Sequence, residues 1–84
     1  MSNVIDKKDT GRNIARNVAH YRQRAEMSRY ALAKAIGVGT IQITRIETER
    51  HCPGSIMLAH IAEALGVTAD DLLNAPEKKS SNRG

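Results

Sequence analysis

The chain has 84 residues, which is enough for one domain but not for two. It contains no Phe, no Trp and two Tyr, so its core must be aliphatic, and its single cysteine excludes an internal disulfide. Residues 12–50 carry eight Lys or Arg and three Glu, whereas residues 51–75 carry three acidic residues and no Lys or Arg. This asymmetry suggests that the first half contacts a polyanion, although a solvated basic surface without a partner has the same composition.

The start of the chain lacks the features of an export signal. Residues 1–10 are polar, with neither an apolar signal core nor helical periodicity. Further along, no apolar run approaches the roughly 20 residues of a membrane span. We therefore expect a cytoplasmic protein and predict that residues 1–10 form a flexible arm.

The first two helices are predicted from apolar spacing. Four apolar residues follow one another at intervals of four, three and four and so share one helix face: Ile14, Val18, Tyr21 and Ala25. Ser28 is suited to cap a second helix, and Gly37 to end it, because glycine adopts a positive φ at low cost. The inward residues of this helix are predicted to be Leu32, Ala33 and Ile36.

The remaining three helices are delimited by turn and cap residues. A third helix is predicted from about Thr40 to Thr48, with Ile43 and Ile46 facing inward. Ser55 is predicted to cap the fourth helix and Gly66 to end it. The inward residues of the fourth helix are predicted to be Leu58, Ile61, Ala62 and Leu65.

A capping box is predicted to start the fifth helix. Thr68 and Asp71 have the required spacing, and Pro76 is predicted to close the helix. The elements together predict an all-α, compact five-helix domain over residues 11–75. The polar residues 76–84 are predicted to be a disordered tail.

The second and third predicted helices are spaced like a helix-turn-helix, in which two helices cross steeply through a short turn. A small residue lets the helices approach, a glycine reverses the chain, and three apolar residues hold the second helix of the pair against the first. These residues are Ala33, Gly37, Val38, Ile43 and Ile46.

With this spacing, the stretch resembles the helix-turn-helix of the lambda-repressor and Cro-like family, also called the XRE family. The segment NIARNVAHYRQRAEMS is similar to the first helix of that family, and MLAHIAEALGVTADDLL to its last two, so the resemblance covers residues 12–74. It implies a lambda-repressor-like fold. It also implies binding of operator DNA, usually as a two-fold dimer with the third helix in the major groove.

Ile41 departs from the inward apolar pattern of the third helix. At 100° per residue it lies about 200° from Ile43, on the face of Thr40, Thr44 and Arg45. Its methyl groups can contact a thymine methyl, and Arg45 can pair with O6 and N7 of guanine. Thr40, Ile41, Thr44 and Arg45 are therefore the predicted base-reading residues, although isolated exposed apolar residues are also common.

Further residues are predicted to contact the DNA backbone. The resemblance implies a phosphate contact for Arg29, at a position where the family usually has Gln, and backbone contacts for Arg50 and His51 in the loop after the third helix. Gln42 lies early in that helix, within reach of a phosphate. Tyr30 either reaches the backbone or covers apolar surface.

Two acidic residues accompany this surface. Glu47 lies about 40° from Ile43 around the third helix, so it is predicted to be half-buried and to need a partner. Arg22 is the predicted partner in a structural ion pair, and the resemblance implies the same pairing. The resembling family frequently has a glycine at the loop position of Glu49, whose carboxylate would repel a phosphate if it faced DNA.

The sequence thus predicts a sequence-specific DNA-binding transcriptional regulator. We expect a small repressor or Cro-like protein that binds a palindromic operator as a homodimer, with Leu73 at the dimer interface because it faces differently from Leu72. The alternatives are a DNA-binding antitoxin or restriction–modification controller, and a protein-interaction module on the same fold. We expect no catalytic residues, metal site, cofactor, small-molecule ligand or membrane association.

Overall fold

Five α-helices make up the fold in a computed structural model that describes residues 7–74, with side chains from residue 10 onward. No strand is present in this range. The helices are α1 (Lys7–Arg24), α2 (Arg29–Ile36), α3 (Thr40–Glu47), α4 (Ser55–Leu65) and α5 (Ala69–Leu73). The all-α, five-helix prediction is confirmed.

The structure describes only part of the predicted arm and none of the predicted tail. Helix α1 begins at Lys7, so residues 7–10, predicted to belong to the arm, are helical. The remainder of the arm, the tail 76–84 and Pro76 lie outside the described residues. None of the helices within 7–74 is long and apolar enough to cross a membrane.

A single core, aliphatic apart from Tyr21, joins all five helices. Helix α1 packs against α3 and α5, and α2 packs against α3 and α4. The predicted inward residues of α3 and α4 are buried, whereas Ile36 is partly buried and Ala25 is exposed beyond the end of α1. The fully buried large apolar side chains are Val18, Leu32, Ile43, Ile46, Ile61 and Leu72.

The ends of α2 hold the helix-turn-helix in shape. The Ser28 Oγ accepts the Ala31 N–H at 2.9 Å, which satisfies a backbone donor that the first turn leaves unpaired. Gly37 has φ 79° in the left-handed region and ends the helix as predicted. The residue after Gly37 is bonded to the last turn of α2: the Val38 N–H donates to the Ala33 carbonyl at 2.9 Å.

The later caps follow the prediction at one helix and depart from it at another. Thr68 and Asp71 form the expected capping box, with reciprocal bonds of 3.1 and 3.0 Å. Ser55 does not cap α4. The cap is Gly54, whose lack of a side chain leaves no side-chain acceptor, and Ser55 is the first helical residue.

Two asparagines on α1, not predicted from the sequence, fasten the end of α5. The Asn17 Nδ2 donates to the Leu72 carbonyl at 2.8 Å and to the Asn74 carbonyl at 2.6 Å. Asn13 donates to the Leu73 carbonyl at 3.2 Å. Since the last carbonyls of a helix lack partners within it, these amides satisfy acceptors that would otherwise be unpaired.

Candidate nucleic-acid interface

Helix α3 divides cleanly into an inward and an outward face. Ile43 and Ile46 are 0% and 1% exposed, whereas Ile41 is 63% exposed. Thr40, Gln42 and Arg45 are exposed beside Ile41, and Thr44 is half-buried. The outward face therefore combines one large apolar side chain, hydroxyl and amide groups and a guanidinium, without an acidic side chain.

The hydroxyls of Thr44, within α3, and of Thr48, which caps its carboxyl end, are turned back onto the helix. Thr44 Oγ1 donates to the Thr40 carbonyl at 3.3 Å, and Thr48 Oγ1 donates to the Thr44 carbonyl at 2.8 Å. A threonine held in this way has its donor proton engaged and keeps its methyl group as the other substituent on Cβ. Thr44 accordingly adds apolar character next to Ile41.

Gln42 has a capping role that sequence reasoning missed. Its Oε1 accepts the backbone N–H of Gly39 at 3.2 Å, the glycine that precedes α3. The spacing of three residues from a helix start is the signal that would have revealed it. The carboxamide NH₂ keeps its two donors, the groups that a phosphate oxygen requires.

A cationic cleft of about 410 Å³ lies at the end of α3, lined by Gln42, Arg45, Arg50 and His51. The loop curls back to form it, since the backbone N–H groups of Arg50 and His51 both donate to the Arg45 carbonyl, at 2.8 and 3.2 Å. The turn places Glu49 at φ 65°, a left-handed conformation that is costly for residues other than glycine.

Glu47 lies at the junction of α1, α2 and α3, and its side chain is 1% exposed. The predicted Arg22–Glu47 ion pair is present, with Arg22 Nε 2.7 Å from Oε2 and Nη2 3.1 Å from Oε1. The two parallel bonds form a bidentate pair, the strongest geometry available to an arginine and a carboxylate. Arg22 also donates through Nη1 to the Met27 carbonyl at 2.9 Å.

Arg29 makes a contact that was not predicted. Its Nε lies 2.9 Å from Glu47 Oε1, so the buried carboxylate holds two arginines. The side chain of Arg29 is nevertheless 41% exposed, compared with 12% for Arg22. The replacement of the usual Gln by Arg, together with a buried carboxylate on the next helix, is the sequence signal for this contact.

Tyr30 and Leu73 lie on the periphery of the fold. Tyr30 is 61% exposed and has the Lys34 ammonium 5.7 Å from its ring centroid, a cation–π distance. Leu73 is partly buried and packs against the core. Among residues 10–74 no group of three or more His, Cys, Asp or Glu side chains is placed to hold a metal ion.

The crossed pair α2–α3, with an outward polar and cationic face on its second helix, defines a helix-turn-helix DNA-binding domain. Comparison with family models agrees with this class. The model of the helix-turn-helix family HTH_3 matches residues 18–72, and the chain belongs to that family.

Solved structures with the same fold include transcription factors. A hypothetical transcription factor NHTF from Neisseria is 25% identical, with a TM-score of 0.83 over 96% of this chain and 93% of its own. An HTH_3 family transcriptional regulator from Vibrio cholerae is 26% identical, with a TM-score of 0.73 over 89% of this chain and 43% of its own. The comparison with curated proteins gives no match.

An enzyme also contains this fold. Hydroxypropylphosphonic acid epoxidase from S. wedmorenis is 22% identical, with a TM-score of 0.76 over 81% of this chain. The match spans 36% of the epoxidase chain. At this identity the likeness concerns the fold alone.

Proposed function

We propose that the protein is a sequence-specific transcriptional regulator, a small repressor or Cro-like protein that binds a palindromic operator as a homodimer. The observation that carries the proposal is the orientation of α3, with Ile43 and Ile46 in the core and Ile41 63% exposed beside Arg45. A helix with this exposed face and no acidic side chain on it suits the major groove.

Base reading is assigned to the outward residues of α3. Arg45 donates to O6 and N7 of guanine, the commonest specific contact in the major groove. Ile41 contacts a thymine methyl. Thr44 presents its methyl group to a second thymine methyl, because its hydroxyl donates back to the helix. Thr40, in the first turn of α3, contacts a base edge.

The phosphates beside the groove are assigned to residues near the carboxyl end of α3, where Arg29 meets Glu47, and in the loop that follows. Arg29 and Tyr30 lie at the start of α2, and Arg50 and His51 lie beyond α3. The Gln42 NH₂ supplies a further donor. Such contacts fix the position of the protein on the duplex without reading its sequence.

Selection of bound duplexes from random DNA, followed by sequencing, tests the proposal. We expect a palindromic consensus whose two halves are separated by about one helical turn, since a two-fold dimer presents two copies of α3. An asymmetric consensus would refute the dimer. Failure to enrich any sequence, at low salt as well, would refute specific DNA binding and favour the protein-interaction module.

The proposal places the protein in the cytoplasm with its operator, and it assigns no catalytic step to any residue. A toxin-binding or restriction–modification role would add a protein client to the same DNA-binding surface. Co-purification of the product of a neighbouring gene would favour that role over a stand-alone repressor.

A further inference from the structure

The two arginines that hold Glu47 differ in how many of their hydrogen-bond donors are still unused. Arg22 uses Nε, Nη1 and Nη2 in hydrogen bonds, and 12% of its side chain is exposed. Arg29 uses Nε, and its Nη1 and Nη2 donate no hydrogen bond to any residue within 10–74. The terminal edge of the Arg29 guanidinium is therefore available to a ligand.

The charges at this junction leave a net positive group. Two guanidinium groups share one carboxylate, so the cluster of Arg22, Glu47 and Arg29 carries a formal charge of +1. Arg22 and Glu47 are largely buried, and the exposed part of the cluster is Arg29. An anion approaching the start of α2 would meet this side of the cluster.

From this arrangement we infer that Glu47 is a positioning residue for a phosphate contact made by Arg29. Its carboxylate anchors Arg29 through Nε and leaves the Nη edge to donate to a DNA phosphate oxygen. Glu47 is also the last residue of α3, so the side chain that contacts the phosphate is bonded directly to the helix that enters the major groove. The inference rests on the proposed DNA binding.

The physical gain is preorganisation. A free arginine side chain loses rotamer freedom when it binds a phosphate, and that loss weakens binding. A guanidinium already held at Nε has lost much of that freedom on folding. An arginine suits this double role because its five donors form a planar fork, whereas a lysine ammonium is a compact point charge.

The first test is Arg29→Gln, which leaves the Arg22–Glu47 pair intact and so keeps the fold. Affinity for the selected duplex and for an unrelated duplex is measured over a series of salt concentrations. We expect both affinities to fall about tenfold or more, and the slope of log K against log salt to lose about 0.9. Arg24→Gln, which removes the same charge beside Leu65 and Val67, is expected to leave the slope unchanged.

The second test separates positioning from simple charge. Removal of an acidic group near DNA by itself raises affinity, because it reduces repulsion of phosphates. In the presence of Arg29, however, we expect Glu47→Gln to lower affinity roughly twofold to tenfold, since Arg29 becomes free to move. In the Arg29→Gln background, Glu47→Gln should leave affinity unchanged or raise it. Circular dichroism below each melting temperature verifies that every variant is folded.

The outcomes distinguish failure of the proposed DNA binding from failure of the roles inferred for Arg29 and Glu47. If the unaltered protein does not bind DNA, the proposed function itself fails. If it binds DNA and Arg29→Gln changes neither affinity nor salt slope, the phosphate contact is wrong and the DNA-binding proposal stands. If Glu47→Gln has the same effect in both backgrounds, Glu47 does not act through Arg29 and the inference is overturned.

Discussion

At the scale of single residues, the proposed base reading rests on two exposed side chains of α3. The exposed Arg45 guanidinium offers paired donors, and Ile41 offers methyl groups beside it. The two side chains lie four positions apart, which is the spacing of neighbours on one helix face. In the proposed complex each side chain would contact its own base, and each contact is testable by itself.

For Arg45 we predict a loss of specificity. Arg45→Ala should weaken binding to the selected duplex by about 1–3 kcal/mol, because a bidentate contact to guanine is lost. It should also relax the preference for one base pair of the operator. Repeating the selection with the variant identifies that base pair. An equal loss on selected and random DNA would show that Arg45 contacts phosphate instead.

For Ile41 we predict sensitivity to the thymine methyl group. Replacing thymine by uracil at the contacted position removes one methyl group and should weaken binding by about 0.8 kcal/mol. The penalty should disappear in Ile41→Ala, measured by fluorescence anisotropy with matched duplexes. A uracil penalty of the same size in both proteins would contradict the contact.

Glu49 combines backbone strain with an unfavourable charge, and the two effects can be separated. Its φ of 65° costs a non-glycine residue about 1–2 kcal/mol. Glu49→Gly should raise both stability, by roughly 0.5–1 kcal/mol after the entropy cost of glycine, and DNA affinity. Glu49→Gln, which keeps the strain, should raise affinity alone. A lower melting temperature for Glu49→Gly would contradict the strain argument.

At the scale of the helices, orientation depends on a few polar contacts between elements. Glu47 ties α3 to α1 through Arg22 and to α2 through Arg29. Asn17, which is 1% exposed, ties α1 to the end of α5. Such contacts matter in a domain of this size, whose total stability is only about 5–15 kcal/mol.

Glu47→Gln is expected to destabilise the fold. Two arginines would lose their common counter-charge, and breaking a buried ion pair costs about 3–5 kcal/mol. The melting temperature followed by circular dichroism should fall by on the order of 10 °C or more. Glu63→Gln on the exposed face of α4 is the matched control and should shift it little. An unchanged melting temperature for Glu47→Gln would contradict the structural role of the pair.

At the scale of the whole molecule, the predicted homodimer remains to be tested. The last turn of α5 contains Leu72, which is fully buried, and Leu73, which is partly buried. We expect Leu73→Ser to weaken dimerisation while Leu72 and the asparagine contacts keep α5 in place. Sedimentation over a range of protein concentrations measures the effect.

Ile56, the most exposed large apolar residue between residues 10 and 74 at 73%, provides the comparison. If Ile56→Ser abolishes the dimer and Leu73→Ser does not, the interface lies at the start of α4. A protein that sediments as a monomer at high micromolar concentration without DNA would argue against a stable dimer.

Much of the fold was predictable because local rules agree with the tertiary structure. Ser28, Gly37 and the Thr68–Asp71 box mark helix ends through bonds made within a few residues. The outward position of Ile41 follows from helix geometry alone. The predicted cap at Ser55 was wrong by one residue, since Gly54 takes the cap position without a side-chain bond.

What only the tertiary structure decided are contacts between residues far apart in the chain. Helical periodicity states which face a residue occupies, but not which other helix end lies opposite. The Asn17 bonds to the end of α5 and the second arginine on Glu47 depend on how the helices cross. The sequence by itself therefore determined that these helices form and which face α3 exposes, but not that α1 begins as early as Lys7. Their packing decided how Arg29 is held, because that contact exists only once α2 and α3 meet.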